Sequence, residues 1–252
     1  MTEHATFLDR VRWTGRLALD TVLPPRCLAC GEIVDQQGQV CATCWPVLDF
    51  IARPYCTVCG TPFAYDMGED AVCGSCSAEA PAFDRGRAAL VYNDLAGRLI
   101  VGFKHADRTL HAPVFARWLA VAGADLLGDA NLVTAVPLHR HRLWRRRFNQ
   151  SVMMAHALAS KTEARVVPDL LVRNRRTPSQ SGRTRLQRFE NVRGAFAVKP
   201  SLASAVTGQR IIVVDDVFTT GATLSAVARC LKQAGAAHVD VLTLARVVRH
   251  PT

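Results

Sequence analysis

Eight of the nine cysteines fall between residues 27 and 76, as four Cys-x-x-Cys pairs: Cys27/Cys30, Cys41/Cys44, Cys56/Cys59 and Cys73/Cys76. That spacing lets two thiolates of one tight turn face the same ion, and two such turns complete a tetrahedral set. A redox dithiol needs one pair, not four in tandem. A secreted disulfide scaffold is disfavoured because Glu3, Asp9, Arg10, Arg12, Arg16 and Asp20 interrupt any apolar leader. The pattern predicts two structural Zn2+ ions. Four thiolates leave no open coordination position, so neither ion is expected to be catalytic.

The cysteine segment also repeats. "CLACGEIVDQQGQVCATC" and "CTVCGTPFAYDMGEDAVCGSC" share CxxCG, a polar loop with glycine, and valine before a second CxxC. Gly31 and Gly60 follow the first knuckle of each copy, where a positive φ suits glycine. The repeat favours sequential pairing, Cys27, Cys30, Cys41 and Cys44 on one ion and Cys56, Cys59, Cys73 and Cys76 on the other; the spacing alone also allows an interleaved set. So short a segment has little core, and metal binding is expected to supply most of its folding free energy. The cysteines do not distinguish a brace from a docking module. Cys230, far from the others, reads as a small buried apolar residue.

The charge is unevenly placed. The chain of 252 residues carries a net +10, and between Leu138 and Arg193 thirteen Arg and one Lys face three carboxylates, a local +11. Such a concentration of planar guanidinium groups suits polyanions, either nucleic acid or a highly phosphorylated small molecule, although a solvated basic face is the plain alternative. Residues 5–22 read as an amphipathic helix. No apolar run approaches 18 residues, so no membrane span is expected, and the chain is expected to stay in the cytoplasm.

Beyond the cysteines, strands are predicted at Ala88–Tyr92, Asn131–Leu138, Gly194–Val198, Arg210–Asp215 and His238–Val247. Helices are predicted over residues 95–103, 113–127, 149–161 and 221–235. Alternation of this kind implies an α/β fold, a mostly parallel sheet covered by helices on both faces. Residues 173–191 have no apolar period and read as a long polar insertion. The organisation predicted is an N-terminal helix (1–22), a double ribbon (23–82) and an α/β domain (83–252).

"VVDDVFTTGAT" (Val213–Thr223) places two carboxylates at the end of a buried strand and a hydroxylated turn before a helix. The helix's first N–H groups, its dipole, the hydroxyls of Thr219, Thr220 and Thr223, and the Cβ-free Gly221 suit a phosphate monoester. Two adjacent carboxylates would repel that phosphate but match the vicinal hydroxyls of an attached ribose. The stretch resembles the signature of type I phosphoribosyltransferases, which use 5-phosphoribosyl-1-pyrophosphate (PRPP). The resemblance implies that Asp215 and Asp216 hold the ribose diol and favour positive charge on the ring. It assigns Val217, Phe218, Thr219, Thr220, Gly221, Ala222 and Thr223 to the 5′-phosphate. Neither GxxxxGK[ST] nor GxGxxG occurs, which disfavours nucleoside-triphosphatase and dinucleotide readings.

The ribbons, "VPLHRHRLWRRRFNQ", "RRTPSQSGRTRLQRFENVRGAF" and the aspartate motif, in this order, resemble the competence protein F (ComF) family, which is tied to uptake of transforming DNA. The resemblance runs from about Pro24 onward. It implies a type I phosphoribosyltransferase fold after the zinc ribbons, PRPP with Mg2+ as ligand, and probing arginines Arg140, Arg142, Arg146 and Arg147 for pyrophosphate. Gln180, Arg188 and Asn191 match the mobile hood. Three positions depart from the pattern: Arg147 where glycine is usual, Arg183 where leucine is usual, and Thr219 where oxopurine-salvage relatives carry an acid. The last disfavours hypoxanthine or guanine as acceptor, and no residue identifies another. The competing reading is a non-catalytic protein that holds single-stranded DNA or an uptake partner such as a helicase. Trp144 and Phe148 are then stacking platforms, although their spacing of four slightly favours shared burial.

Overall fold

The computed structural model describes residues 23–104, 111–175, 177 and 184–248. The segment 5–22 and the positions Gln180 and Arg183 lie outside the described residues. The chain divides into two compact units, Met1–Val47 and Leu48–Thr252. No helix among the described residues is long and apolar enough to cross a membrane.

In the second unit, three apolar runs build the sheet. Leu132–Ala135 (β2) is buried throughout, Arg210–Phe218 (β6) buries Ile211 to Val214, and His238–Arg246 (β7) is buried at every position after His238. Such runs have no polar face to offer solvent and need cover on both sides. Gly86–Val91 (β1) and Arg165–Val166 (β3) take the edges, and the order β1-β7-β6-β2-β3 is parallel throughout. The free edge of β1 is covered by the residues that lead into the second ribbon: Ile51 N donates to Ala89 O (3.0 Å) and Val91 N to Asp49 O (2.8 Å).

The ribbon itself ends in a short helix, α1 (Gly74–Ala78). Asn93 caps α2 (Asp94–Gly102), its side chain accepting from Ala96 N at 2.9 Å. The single helix expected over 113–127 is two, α3 (Ala112–Ala122) and α4 (Ala124–Leu127). They divide at Gly123, where a Cβ would come within 2.8 Å of the Leu242 side chain on β7.

Within the polar stretch 173–191, the described residues hold regular structure that the composition does not predict. Leu171–Arg173 (β4) pairs antiparallel with Phe196–Val198 (β5). Residues Arg185–Val192 form a helix, started by a capping box in which Thr184 and Gln187 satisfy each other's backbone N–H. Val192 is fully buried and Phe189 packs beside the same core, two anchors too few to register as a period.

Strand order fixes where a ligand goes. From β2 the chain crosses through Arg140–Arg146 (α5) and Gln150–Leu158 (α6) to β3 on one side. Arg185–Val192 is α7, and from β6 the chain crosses through Ala222–Gln233 (α8) to β7 on the other side. Two adjacent strands that diverge in this way open a crevice at their C-terminal ends, the usual ligand position in open α/β sheets.

Candidate functional site

Strand β6 does not stop at Asp215. Val217 lies opposite Ala245 and Phe218 opposite Arg246, and Phe218 O accepts from Val247 N at 2.8 Å. Val217 and Phe218, expected in the anion-binding turn, are therefore strand residues, and the turn proper is Thr219–Gly221. Gly221 is required there twice over: its φ is +76°, and a Cβ would come within 2.8 Å of the Phe218 ring. It opens α8, at whose start lie Ala222 and Thr223 and which no side chain caps. Thr220 Oγ1 is buried without a hydrogen-bond partner. The uncapped helix start and the unpartnered hydroxyl together make a site that an anion would satisfy.

Asp215 and Asp216 stand at the mouth of the crevice. Ser151, in the first turn of α6, donates to Asp215 Oδ1 (3.1 Å), and Lys104 Nζ lies 2.8 Å from Asp216 Oδ2. Burial, then the Asp216 charge, raise the Asp215 carboxyl to about 7 against the opposing Asp216 N–H, Ser151 and Lys104. Asn149 sets this arrangement: its amide donates to Val136 O at the end of β2 (3.0 Å), and its Oδ1 caps α6 at Ser151 N (3.0 Å). The asparagine thus fixes both ends of the loop after β2 and delivers Ser151 to Asp215. Neither Ser151 nor Lys104 is legible in the sequence as a site residue.

The loop arginines divide. Arg142 Nη2 donates to Thr177 O (3.4 Å), and Arg173 of β4 donates to Thr177 Oγ1. Burial and the neighbouring Arg142 push the Arg173 guanidinium down, while Asp215 opposes the shift. Arg142 and Arg173 are therefore held together on Thr177, with Arg173 near enough to Asp215 to feel its charge, and Arg173 is a residue the sequence did not single out. Arg146 reaches Gln150 Oε1 (3.5 Å). Arg140 and Arg147 are exposed, and Arg147 holds φ +65°, so it keeps a left-handed turn without a glycine. Arg188 and Asn191 lie on α7, which packs against α8; Gln180 falls outside the described residues.

The expected shared burial of Trp144 and Phe148 is incorrect. Trp144 is 83% exposed, whereas the Phe148 ring sits 6.3 Å from Phe103. The left-handed Arg147 ends α5 between them, so residues four apart no longer share a helix face.

The cysteines form two sequential clusters, Cys27, Cys30, Cys41, Cys44 and Cys56, Cys59, Cys73, Cys76, with all ligand atoms in each within 4.8 Å of one another. The Cys30–Cys41 and Cys59–Cys73 sulfurs lie 3.7 Å apart. The edge of a tetrahedron with Zn–S bonds of about 2.3 Å is about 3.8 Å, so the donor sets fit Zn2+. The repeat is also physical. Cys27 N to Glu32 O (2.7 Å) is matched by Cys56 N to Thr61 O (2.8 Å), and Leu28 N to Gln39 O (3.0 Å) by Thr57 N to Ala71 O (3.0 Å). Backbone N–H groups of Cys41 and Cys73 each donate to a first-knuckle sulfur, Cys27 and Cys56, at 3.3 Å.

The second ribbon is built into the sheet. Buried Arg87 of β1 donates to Thr57 O (3.0 Å) and pairs with Asp125 (2.8 Å), its guanidinium 4.7 Å from the Tyr55 ring centre. Gly86 N donates to Val58 O at 2.7 Å.

Comparison with known proteins agrees with both halves of this description. A double zinc ribbon domain model matches residues 18–77, and a phosphoribosyl transferase domain model matches residues 149–251. The chain is 28% identical over 227 residues to competence protein F of Haemophilus influenzae, covering 88% of this chain and 96% of that protein. It is 30% identical over 201 residues to DNA utilization protein YhgH of Escherichia coli O6:H1, covering 78% and 86%. Competence protein ComFC of Bacillus subtilis is 29% identical over 216 residues, with 82% and 84% covered. With its ribbons, its parallel sheet and these relatives, the chain belongs to the competence protein F (ComF) family.

Proposed function

We propose that the chain binds PRPP with Mg2+ in the crevice beyond β2 and β6 and transfers its phosphoribosyl group during the handling of transforming DNA in the cytoplasm. One juxtaposition carries the reading: a carboxylate pair stands a few residues from a turn whose helix is uncapped and whose Thr220 hydroxyl is buried without a partner. Asp215 and Asp216 accept hydrogen bonds from the ribose hydroxyls, and Thr219 to Thr223 hold the 5′-phosphate. Arg142, Arg146 and Arg173 face the pyrophosphate. Lys104 releases Asp216 as the diol arrives. Two carboxylates beside hydroxyls are a donor set that suits Mg2+, which takes few protein ligands and completes its shell with substrate oxygens and water. When bound, the ion supplies charge neutralisation to the departing pyrophosphate. The names of the relatives, competence and DNA utilization, support the DNA setting.

Calorimetric titration of PRPP tests the reading, with and without Mg2+, on wild type and Asp215→Asn/Asp216→Asn. Magnesium-dependent binding absent from the double variant is expected. A folded, zinc-loaded wild type that ignores PRPP would sink it.

One observation favours a second reading. Exposed Trp144 stands between Arg142 and Arg146 on α5, a stacking surface among cations that suits single-stranded DNA. Such binding must weaken steeply with salt, and Trp144→Ala should weaken it while sparing PRPP.

A further inference from the structure

The carboxylate pair at the mouth of the crevice already has a cation. Lys104 Nζ lies 2.8 Å from Asp216 Oδ2, and the two side chains are 26% and 23% exposed. Ser151 donates to Asp215 Oδ1 at 3.1 Å. Asp216 is thus met by a charge and Asp215 by a neutral hydroxyl, so the two carboxylates differ in what must leave them before a ligand binds.

The neighbour of the lysine fixes its place. Phe103, the C-cap of α2, is fully buried; its ring stands edge-on to Phe115 of α3, 5.2 Å between centres, and 6.3 Å from Phe148. Phe148 immediately precedes Asn149, the cap of α6 that sets Ser151 on Asp215. One aromatic cluster therefore holds both the backbone under Lys104 and the loop that delivers Ser151. Beyond that backbone, a flexible four-carbon stem carries the ammonium, which changes anions by rotamer alone.

Magnesium takes carboxylate oxygens, substrate oxygens and water, and it dehydrates reluctantly. At Asp216 it meets an ammonium within hydrogen-bond distance of the same carboxylate, and like charges so close repel. The metal takes that oxygen only if the ammonium moves. Breaking a partly buried ion pair is costly when a charge is left without a partner, so the ammonium leaves readily only for another anion. PRPP brings such anions, whereas a metal ion alone brings none.

We infer that Lys104 is a specificity-determining residue: it holds divalent metal off Asp216 until PRPP supplies a phosphate oxygen for its ammonium, so the site selects metal together with PRPP over metal alone. The phosphate half rests on the PRPP reading; the exclusion of metal alone does not. Metal and PRPP are then positively coupled, and by linkage each tightens the binding of the other by the same factor.

The probe is Mn2+, which suits the oxygen donors that Mg2+ takes and is read by electron paramagnetic resonance. Zinc-loaded full chain is titrated with Mn2+ without PRPP, as wild type, Lys104→Gln, Lys104→Met, Lys104→Arg and Lys104→Gln/Asp216→Asn. Both neutral variants are expected to bind Mn2+ about tenfold more tightly than wild type. Arginine keeps the charge and should stay within about threefold of wild type, which a purely structural role for the lysine would not predict. The gain should vanish in Lys104→Gln/Asp216→Asn. Equal Mn2+ affinity in wild type and the neutral variants, or a gain that survives Asp216→Asn, overturns the inference. Calorimetric titration of PRPP with Mg2+ into the same proteins separates it from the reading beneath it. PRPP binding by wild type with no Mn2+ gain in the neutral variants overturns the role of Lys104 alone. A Mn2+ gain with no PRPP binding by wild type overturns the PRPP reading, and with it the passage of Lys104 to phosphate, while the exclusion of metal stands.

Discussion

The guanidinium carbon of Arg246 lies 4.2 Å from the centre of the Phe218 ring, while its Nη1 donates to the carbonyl of Cys59. One side chain therefore joins the second zinc knuckle to the ring beneath Gly221. Removing it should loosen both ends. A buried charged hydrogen bond contributes about 1.5–3 kcal/mol and a desolvated cation–π contact about 2. Arg246→Met is expected to lower Tm by several degrees, at about 2–4 °C per kcal/mol for a chain of this size. In a chelator challenge followed by a chromogenic zinc indicator, it should release one ion per chain early and the other at the wild-type rate. Simultaneous release of both ions would contradict the coupling.

Asp215 sets a pH dependence. Its folded-state carboxyl titrates at about 7, above its ordinary value of 3.8, chiefly because it is buried and secondly because of Asp216. The folded state therefore holds a proton that the unfolded state has lost. Its stabilising contribution is complete below the ordinary value and disappears as pH rises through about 7. Asp215→Asn should accordingly raise Tm by several degrees at pH 8.5 and by much less near pH 4, read by differential scanning calorimetry. Wild-type affinity for PRPP with Mg2+ should move the other way, falling about tenfold from pH 8 to pH 6 as the diol acceptor is protonated.

Arg147 occupies a conformation that glycine adopts without cost. A left-handed residue with a Cβ costs roughly 1–2 kcal/mol, and glycine's extra unfolded-state freedom returns about half of that. Arg147→Gly is therefore expected to stabilise the chain by about 0.5–1 kcal/mol, seen as a higher urea midpoint with an unchanged slope. A lower midpoint would mean that the arginine side chain contributes more than its backbone costs.

Gly221→Ala meets the reverse problem. The added methyl would press on the Phe218 ring in a backbone region that disfavours it. A loss of about 1–3 kcal/mol of stability is expected, together with at least tenfold weaker PRPP binding by calorimetry. Retention of wild-type affinity would show that the turn is not the phosphate site.

What was legible in the sequence is what one short stretch can encode. The cysteine pairs, the apolar runs of β2, β6 and β7, and the adjacent aspartates each carry their meaning locally. Ser151 and Lys104 do not. Ser151 meets Asp215 across 64 residues, and only the packing of α6 against β6 makes it a site residue. Arg173 was hidden in the same way, by a strand of three residues inside a polar stretch. The spacing of Trp144 and Phe148 misled because it assumes an unbroken helix, and the left-handed turn at Arg147 ends that helix between them.

The cover on β1 gives zinc a role in when, and whether, this chain matures. Residues 49–51 hydrogen-bond along the outer edge of the strand, and Val58 of the metal knuckle accepts from Gly86 at its start. Without the ion, that turn keeps its hydrogen bonds from Arg87 and Arg246 but loses the four-thiolate anchor that closes it. A cell short of zinc would then release chains whose parallel sheet ends in a bare strand, and bare strands recruit one another. Scarcity of the metal would thus appear as aggregation of the sheet, well before any shortage of substrate was felt.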